Sequence, residues 1–209
     1  MKRYLSLPNH IVIAATRTPA TAEPVAQLPH EASTKLLTRA FNLSSPESVK
    51  GAISSLSNDG ISHLDVVIAC GALNNVTLAP ISTTPPEQVL EHFKVNALGT
   101  LNLFQATWPL LKQNDSQKKF VLLGSPIGSI SEIEKRSVPM DAYGISKAAA
   151  HYIVRKAHVE QAADGLVAFA VDPGFLQSKS GNATAKKFGM EKASTPLDDS
   201  AAFVISTVS

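Results

Sequence analysis

Five apolar runs of strand length, at 10–16, 35–41, 64–69, 119–124 and 166–172, alternate with longer stretches of helical pattern. This alternation constrains the fold more than any other feature of the chain. Runs apolar on both faces suit strands buried in a parallel sheet, because a strand with one wet face would alternate polar and apolar residues. A repeated β-α order with right-handed crossovers then gives a doubly wound parallel sheet with helices on both faces. The expected fold class is therefore α/β, of Rossmann type. A length of 209 residues predicts a single domain, 1–209, large enough to bury a core.

Helix starts are marked by capping chemistry. Ser44-Ser-Pro-Glu47 and Thr84-Pro-Pro-Glu87 each offer a hydroxyl cap, a Glu three residues later and a Pro in the first turn. Thr195-Pro-Leu-Asp198 is a weaker version. The predicted helices are 46–57, 86–113, 141–163 and 196–206. The stretch 177–192 is polar, small and poorly periodic, which predicts a mobile loop placed as a lid.

Composition excludes several classes. Apolar residues make up 44% and charged residues 17%, too apolar for disorder. A net charge of +2 implies no nucleic-acid partner, and Lys118-Lys119 and Lys186-Lys187 read as solvated pairs. No run approaches the roughly 18 apolar residues of a membrane span. The basic start of the chain is broken by Pro8 and does not read as a signal peptide, so the expected location is cytoplasmic. The single cysteine excludes an internal disulfide and fits a reducing compartment; Cys70 itself is expected to be a small buried apolar residue. None of the six histidines has metal-ligand spacing, and His151 and His158 are expected at a surface or interface.

The chemistry centres on Tyr143-Gly-Ile-Ser-Lys147, which puts a phenol and an ammonium one helical turn apart. A cation held beside a phenol favours the phenolate, so a lowered Tyr143 pKa is expected. Ser125 follows the apolar run Phe120-Val-Leu-Leu-Gly124, Asn96 lies in Phe93-Lys-Val-Asn-Ala-Leu-Gly99, and Asp172-Pro-Gly174 closes the last apolar run. Taken singly, Ser125 could be a strand-end turn residue, Asn96 a satisfied polar group in a helix and Tyr143 a helix-start aromatic.

In this order, over about residues 8–200, these motifs resemble the short-chain dehydrogenase/reductase family. The nearest branches are the fungal polyketide ketoreductases typified by norsolorinic acid ketoreductase and the sniffer-type carbonyl reductases. The resemblance implies a catalytic tetrad of Asn96, Ser125, Tyr143 and Lys147. Ser125 would polarise a substrate carbonyl and Tyr143 would donate the proton. Lys147 would tune Tyr143 and hold ribose hydroxyls. Asn96 would kink its helix and fix a water in a relay to Lys147. It further implies a nicotinamide cofactor touched by Arg17, Asn42, Leu43, Ala69, Gly71, Tyr143, Lys147, Pro173, Gly174 and Ser178. Arg17, where the family discriminates cofactors, favours the 2′-phosphate of NADP over NAD. Pro126, Ile127, Met140 and Phe175 would line the substrate. The implied function is NADP-dependent reduction of a ketone on a hydrophobic, polyketide-like small molecule by a homodimer or tetramer.

Two departures stand against the pattern. Ala69-Cys-Gly-Ala72 occupies the place of the family's Asn-Asn-Ala-Gly, and the interval from Ser125 to Tyr143 is longer than usual, with the excess in a charged loop at 131–139. There is also no glycine before Gly51, so the family's first strand and its phosphate-binding glycine turn have no counterpart, nor does its C-terminal strand. That first strand would lie centrally, between 11–15 and 64–69. The residues leave open a shortened form of an active reductase, a chain active as it stands, and a non-catalytic homologue, a pseudoenzyme or partner subunit unable to bind cofactor.

Overall fold

The computed structural model describes residues 1–75, 77–136 and 138–208. Its strands are β1 (Ile11–Thr16), β2 (Lys35–Ala40), β3 (Val66–Ala69), β4 (Lys118–Leu123) and β5 (Leu166–Val171). Its α-helices are α1 (Lys2–Leu5), α2 (Pro19–Ala26), α3 (Pro46–Ser54), α4 (Pro86–His92), α5 (Gly99–Lys112), α6 (Asp141–Glu160), α7 (Lys179–Lys187) and α8 (Leu197–Val208). Every expected strand forms, and each pairing is parallel.

The strands form two sheets. β1 pairs with β2, and β3, β4 and β5 pair in that order, with no ladder between β1 and β3. The break falls where the sequence predicts a missing central strand. Side chains hold the two sheets together instead. One apolar cluster joins Ile13 and Leu37 of the first sheet to Val67, Phe120, Leu122 and Ala168 of the second, through Val49, Ile53, Leu103 and Val154 of the helices.

Strand alternation puts helices on both faces of the larger sheet. Val67, Ala69, Phe120, Leu122, Leu166 and Ala168 pack with α5 and α6, whereas Val66, Ile68, Val121, Phe169 and Val171 pack with Val204 and Val208 of α8. No helix of the described residues is long and apolar enough to cross a membrane.

Several local expectations need correction. The stretch 177–192 is not an open loop: Ser178 caps α7 by accepting the Gly181 N–H at 3.0 Å, and Gly181, Thr184 and Ala185 are buried. The buried residues are so small that they leave little hydrophobic period to read. Residues 130–135 of the charged loop form a 3-10 turn; its Ser137 lies outside the described residues. Ser45 rather than Ser44 caps α3, through the Ser48 N–H. Thr84 caps nothing; its hydroxyl donates to the Pro80 carbonyl at 3.0 Å, and α4 begins from Pro85. Lys118 is buried and Lys119 Nζ donates to the Val208 carbonyl, so this pair is not solvated.

The predicted long helix 86–113 is interrupted by a π-helical turn, Phe93–Leu98, between α4 and α5. A π-turn widens the helix by one residue and is often found where a side chain must be aimed. Here it carries Asn96.

Candidate active site

Parallel strands bring their carboxyl ends to one edge, where open α/β sheets bind ligands. The turn after β4 carries Ser125, the loop after β3 carries Cys70–Asn74, and the first two turns of α6 carry Tyr143, Ser146 and Lys147. The four sequence-predicted tetrad residues meet at this edge.

The Ser125 hydroxyl hydrogen-bonds the Tyr143 phenol. Its oxygen also accepts the Ile127 N–H at 3.3 Å, which fixes the 3-10 turn Pro126–Gly128. Burial pushes the Tyr143 pKa up to about 12; the Ser125 bond lowers it, the Asp172 carboxylate raises it, and burial dominates. This overturns the expected lowering. Lys147 Nζ stands 5.7 Å from the Tyr143 ring centroid and donates to the Leu123 carbonyl at 2.8 Å. Lys147 is buried, and the lost hydration of its ammonium pulls its pKa down to about 8.

Asn96 is a clamp. Its Nδ2 donates to the Leu73 carbonyl at 3.0 Å and to Ser146 Oγ at 2.9 Å, and its Oδ1 accepts the Leu73 N–H at 2.7 Å. Ser146 in turn donates to the Tyr143 carbonyl at 2.7 Å. Thus Asn96 ties the loop after β3 to the helix bearing Tyr143 and Lys147. Its own carbonyl accepts the Thr100 hydroxyl at 2.7 Å. The role of Ser146 was missed in the sequence, although its place beside Lys147 was visible.

The predicted cofactor residues are distributed along the same edge. Arg17 and Asn42 are exposed at the ends of β1 and β2; no hydrogen bond or ion pair holds Arg17 among the described residues. Asn42 Oδ1 accepts the Ser44 N–H at 3.0 Å, which leaves its amide donor outward. Leu43 wedges between two glycines: a Cβ on Gly71 would lie 2.4 Å from its Cδ1, and one on Gly99 would lie 3.0 Å from its Cβ. Ala69 is buried and Gly71 exposed. Pro173 and Gly174 follow β5; Gly174 has φ of 81°, and a Cβ there would meet Thr195 Oγ1 at 2.6 Å. The oxygen of Ser178 is engaged as the α7 cap rather than open to a ligand.

Of the predicted substrate residues, Pro126, Ile127 and Phe175 are partly exposed, but Met140 is only 3% exposed. Met140 bridges to Ala79 at the start of α6 and belongs to the packing. Cys70 is exposed, contrary to expectation, because the chain leaves the sheet at that residue. His151 and His158 are not free surface groups: His158 Nδ1 lies 3.1 Å from the Leu166 carbonyl, and His151 Nε2 accepts the Ser125 N–H at 3.3 Å. Two clefts flank the tetrad. One of about 390 Å³ lies beside Ser125, His151, Arg155 and Asp172, and one of about 420 Å³ lies between Asn74–Asn75 and α7.

A parallel α/β core whose strand ends gather Ser, Tyr, Lys and Asn defines a Rossmann-like protein with an acid–base cluster. The chain belongs to the short chain dehydrogenase family, whose model matches residues 1–188. It is 36% identical over 211 aligned residues to norsolorinic acid ketoreductase of Aspergillus parasiticus, spanning 100% of this chain and 77% of that protein. A norsolorinic acid ketoreductase of Emericella nidulans is 39% identical over 97% of this chain and 76% of its own length. Among solved structures, the carbonyl reductase Sniffer of D. melanogaster superposes with a TM-score of 0.79 at 20% identity, covering 100% of this chain and 84% of that one.

Proposed function

We propose that this chain reduces the carbonyl of a hydrophobic, polyketide-like ketone, with NADPH as the hydride source. The observation that carries the reading is the Ser125–Tyr143 hydrogen bond set over a buried Lys147. The kinship to two ketoreductases at 36% and 39% identity supports the substrate class. The exposed, uncommitted guanidinium of Arg17 at the end of β1 supports NADP, because it suits a 2′-phosphate. The residues fit a dinucleotide along this edge: Gly71 is exposed there, with Leu43 close enough that any Cβ on Gly71 would collide with it. Asn42, Leu43 and Ala69 would line the adenosine half, with Pro173 and Gly174 toward the nicotinamide.

A bound nicotinamide supplies hydride to the carbonyl carbon. The Ser125 hydroxyl turns from Tyr143 to the substrate oxygen and stabilises the charge growing there. Tyr143, held protonated by burial, gives that oxygen its proton. Lys147 lies near enough for its charge to stabilise the phenolate that results. Asn96 and Ser146 keep α6 and the loop after β3 in register with one another.

Leu90, Leu98, Ile145 and Tyr152 are exposed on α4, the π-turn and α6, which supports a homodimer across these helices. The single free cysteine, Cys70, suits the reducing cytosol. The test is titration of the 209-residue chain with NADPH, with NADH as control, followed by an aromatic ketone panel on wild type and Tyr143→Phe. Micromolar binding that favours NADPH, with turnover lost in the variant, is expected. No binding up to about 1 mM from a folded sample overturns the reading and leaves a non-catalytic homologue.

A further inference from the structure

We propose that His151 is the positioning residue of Ser125, a neutral imidazole that holds both ends of the turn carrying the catalytic hydroxyl. The inference rests on the carbonyl-reductase reading for its catalytic consequence, but not for its geometry. His151 lies one helical turn beyond Lys147 on α6, on the same side as Tyr143 and Lys147. Its Nε2 accepts the Ser125 N–H at 3.3 Å, and the ring donates to the backbone carbonyl of Gly128. A neutral imidazole has one acceptor nitrogen, which the Ser125 N–H occupies, and one N–H left to donate.

The surrounding backbone is shaped to admit the ring. A Cβ on Gly124 would lie 2.8 Å from His151 Nε2. At the other end of the turn, a Cβ on Gly128 would lie 2.6 Å from Lys147 Cβ, and one on Gly144 would lie 3.1 Å from the Ile127 carbonyl oxygen. Three glycines therefore let the turn lie directly on α6, and His151 is the side chain that bonds to it.

The same arrangement makes the site sensitive to acid. A protonated ring has two donors and no acceptor, so Nε2–H would face the Ser125 N–H and the turn would lift from α6. Burial lowers the His151 pKa, and the Lys147 charge lowers it further; the Gly128 bond and Asp172 oppose them. Arg155 adds a second cation from α6 in the cleft beside the ring, and Asp172 is the charge arriving from the end of β5. The turn from Gly124 to Gly128 contributes no titratable group.

The experiment pairs a structural readout with a kinetic one, on wild type, His151→Asn and His151→Leu. Asparagine keeps a donor and an acceptor but does not titrate. In wild type, the Ser125 amide resonance is expected to move with the His151 ring signals as pH falls below about 6.5, and to stay fixed in both variants. For ketone reduction, His151→Leu is expected to lower kcat about tenfold with little change in the KM for NADPH. His151→Asn should recover most of that loss and show no acid limb in its pH profile. A Ser125 amide that ignores the His151 titration overturns the proposal, whether or not the chain turns over a ketone. So does a folded His151→Leu chain with wild-type kcat and pH profile. If wild type binds no cofactor, the functional reading fails while the amide titration still decides the role of His151.

Discussion

Lys147 Nζ donates to the carbonyl of Leu123, at 2.8 Å, and not to the Tyr143 hydroxyl. The cation is anchored to the end of β4 and stands 5.7 Å from the Tyr143 ring centroid. Both groups are buried, and desolvation moves their pKa values in opposite directions, Tyr143 up to about 12 and Lys147 down to about 8.

A pH profile follows from that pair. Tyr143 stays protonated through the neutral range, so reduction should not fall for want of an acid below pH 10. It should fall as pH rises through about 8, where Lys147 loses its charge. Tyr143→Phe is expected to cost about 10²–10⁴-fold in kcat. A wild-type rate that climbs steadily to pH 10 would contradict the assignment.

Stability should show the burial of Lys147. Its folded-state pKa, about 8, lies below the ordinary 10.5, so between these values the folded chain binds fewer protons than the unfolded chain. Stability therefore rises with pH across that window. Lys147→Met should be more stable than wild type at pH 7, by about 1–3 kcal/mol, and the difference should shrink by pH 9.5. Urea unfolding at the two pH values measures both.

Asn96→Ala should destabilise the fold by about 2–3 kcal/mol. It leaves both polar groups of Leu73 without their side-chain partner and removes the bond that the buried Ser146 hydroxyl accepts, while that hydroxyl keeps its own bond to the Tyr143 carbonyl. Amide exchange should rise at Leu73 while the β4–β5 ladder keeps its protection, because the clamp acts on the loop rather than on the sheet.

Two glycine substitutions should move stability in opposite directions. Gly51 lies within α3 with nothing within 4 Å of a built Cβ, so Gly51→Ala should stabilise by about 0.5–1 kcal/mol. Gly128→Ala puts a Cβ 2.6 Å from Lys147 Cβ and 2.7 Å from the Ala148 nitrogen, so it should destabilise by about 1–3 kcal/mol. Thermal melts of the two variants separate these effects.

Arg17→Glu should invert cofactor preference without unfolding the chain. The side chain is exposed and makes no contact that holds the fold among the described residues. Replacing a cation with a carboxylate would repel a 2′-phosphate and accept ribose hydroxyls instead. Comparison of NADPH and NADH binding by the two chains is the measurement.

The five strands were legible because each is a continuous apolar run, and burial on both faces leaves that signature whatever packs above or below. The pairing of Tyr143 with Lys147 was legible because a four-residue helical spacing fixes it, whereas Ser125 and Asn96 joined them only through the resemblance to the family. What failed to show was whatever depends on atoms distant in sequence. The helix α7 buries residues too small to mark a period. The π-turn carries Asn96, whose partner Leu73 lies 23 residues away. Met140 has the composition of a pocket residue but the packing of a core one.

The sequence by itself determined which segments are strands, and that Tyr143 and Lys147 share one face of a helix, because side-chain period and local spacing are properties of neighbours along the chain. Only the tertiary structure decided the charge states and the supports of the site. Burial sets the pKa of Tyr143 against the expectation from Lys147 alone, and the Ser125 turn lies against His151 through bonds spanning 26 residues. Desolvation and long-range hydrogen bonds depend on what surrounds a group in space, and no window of sequence contains that.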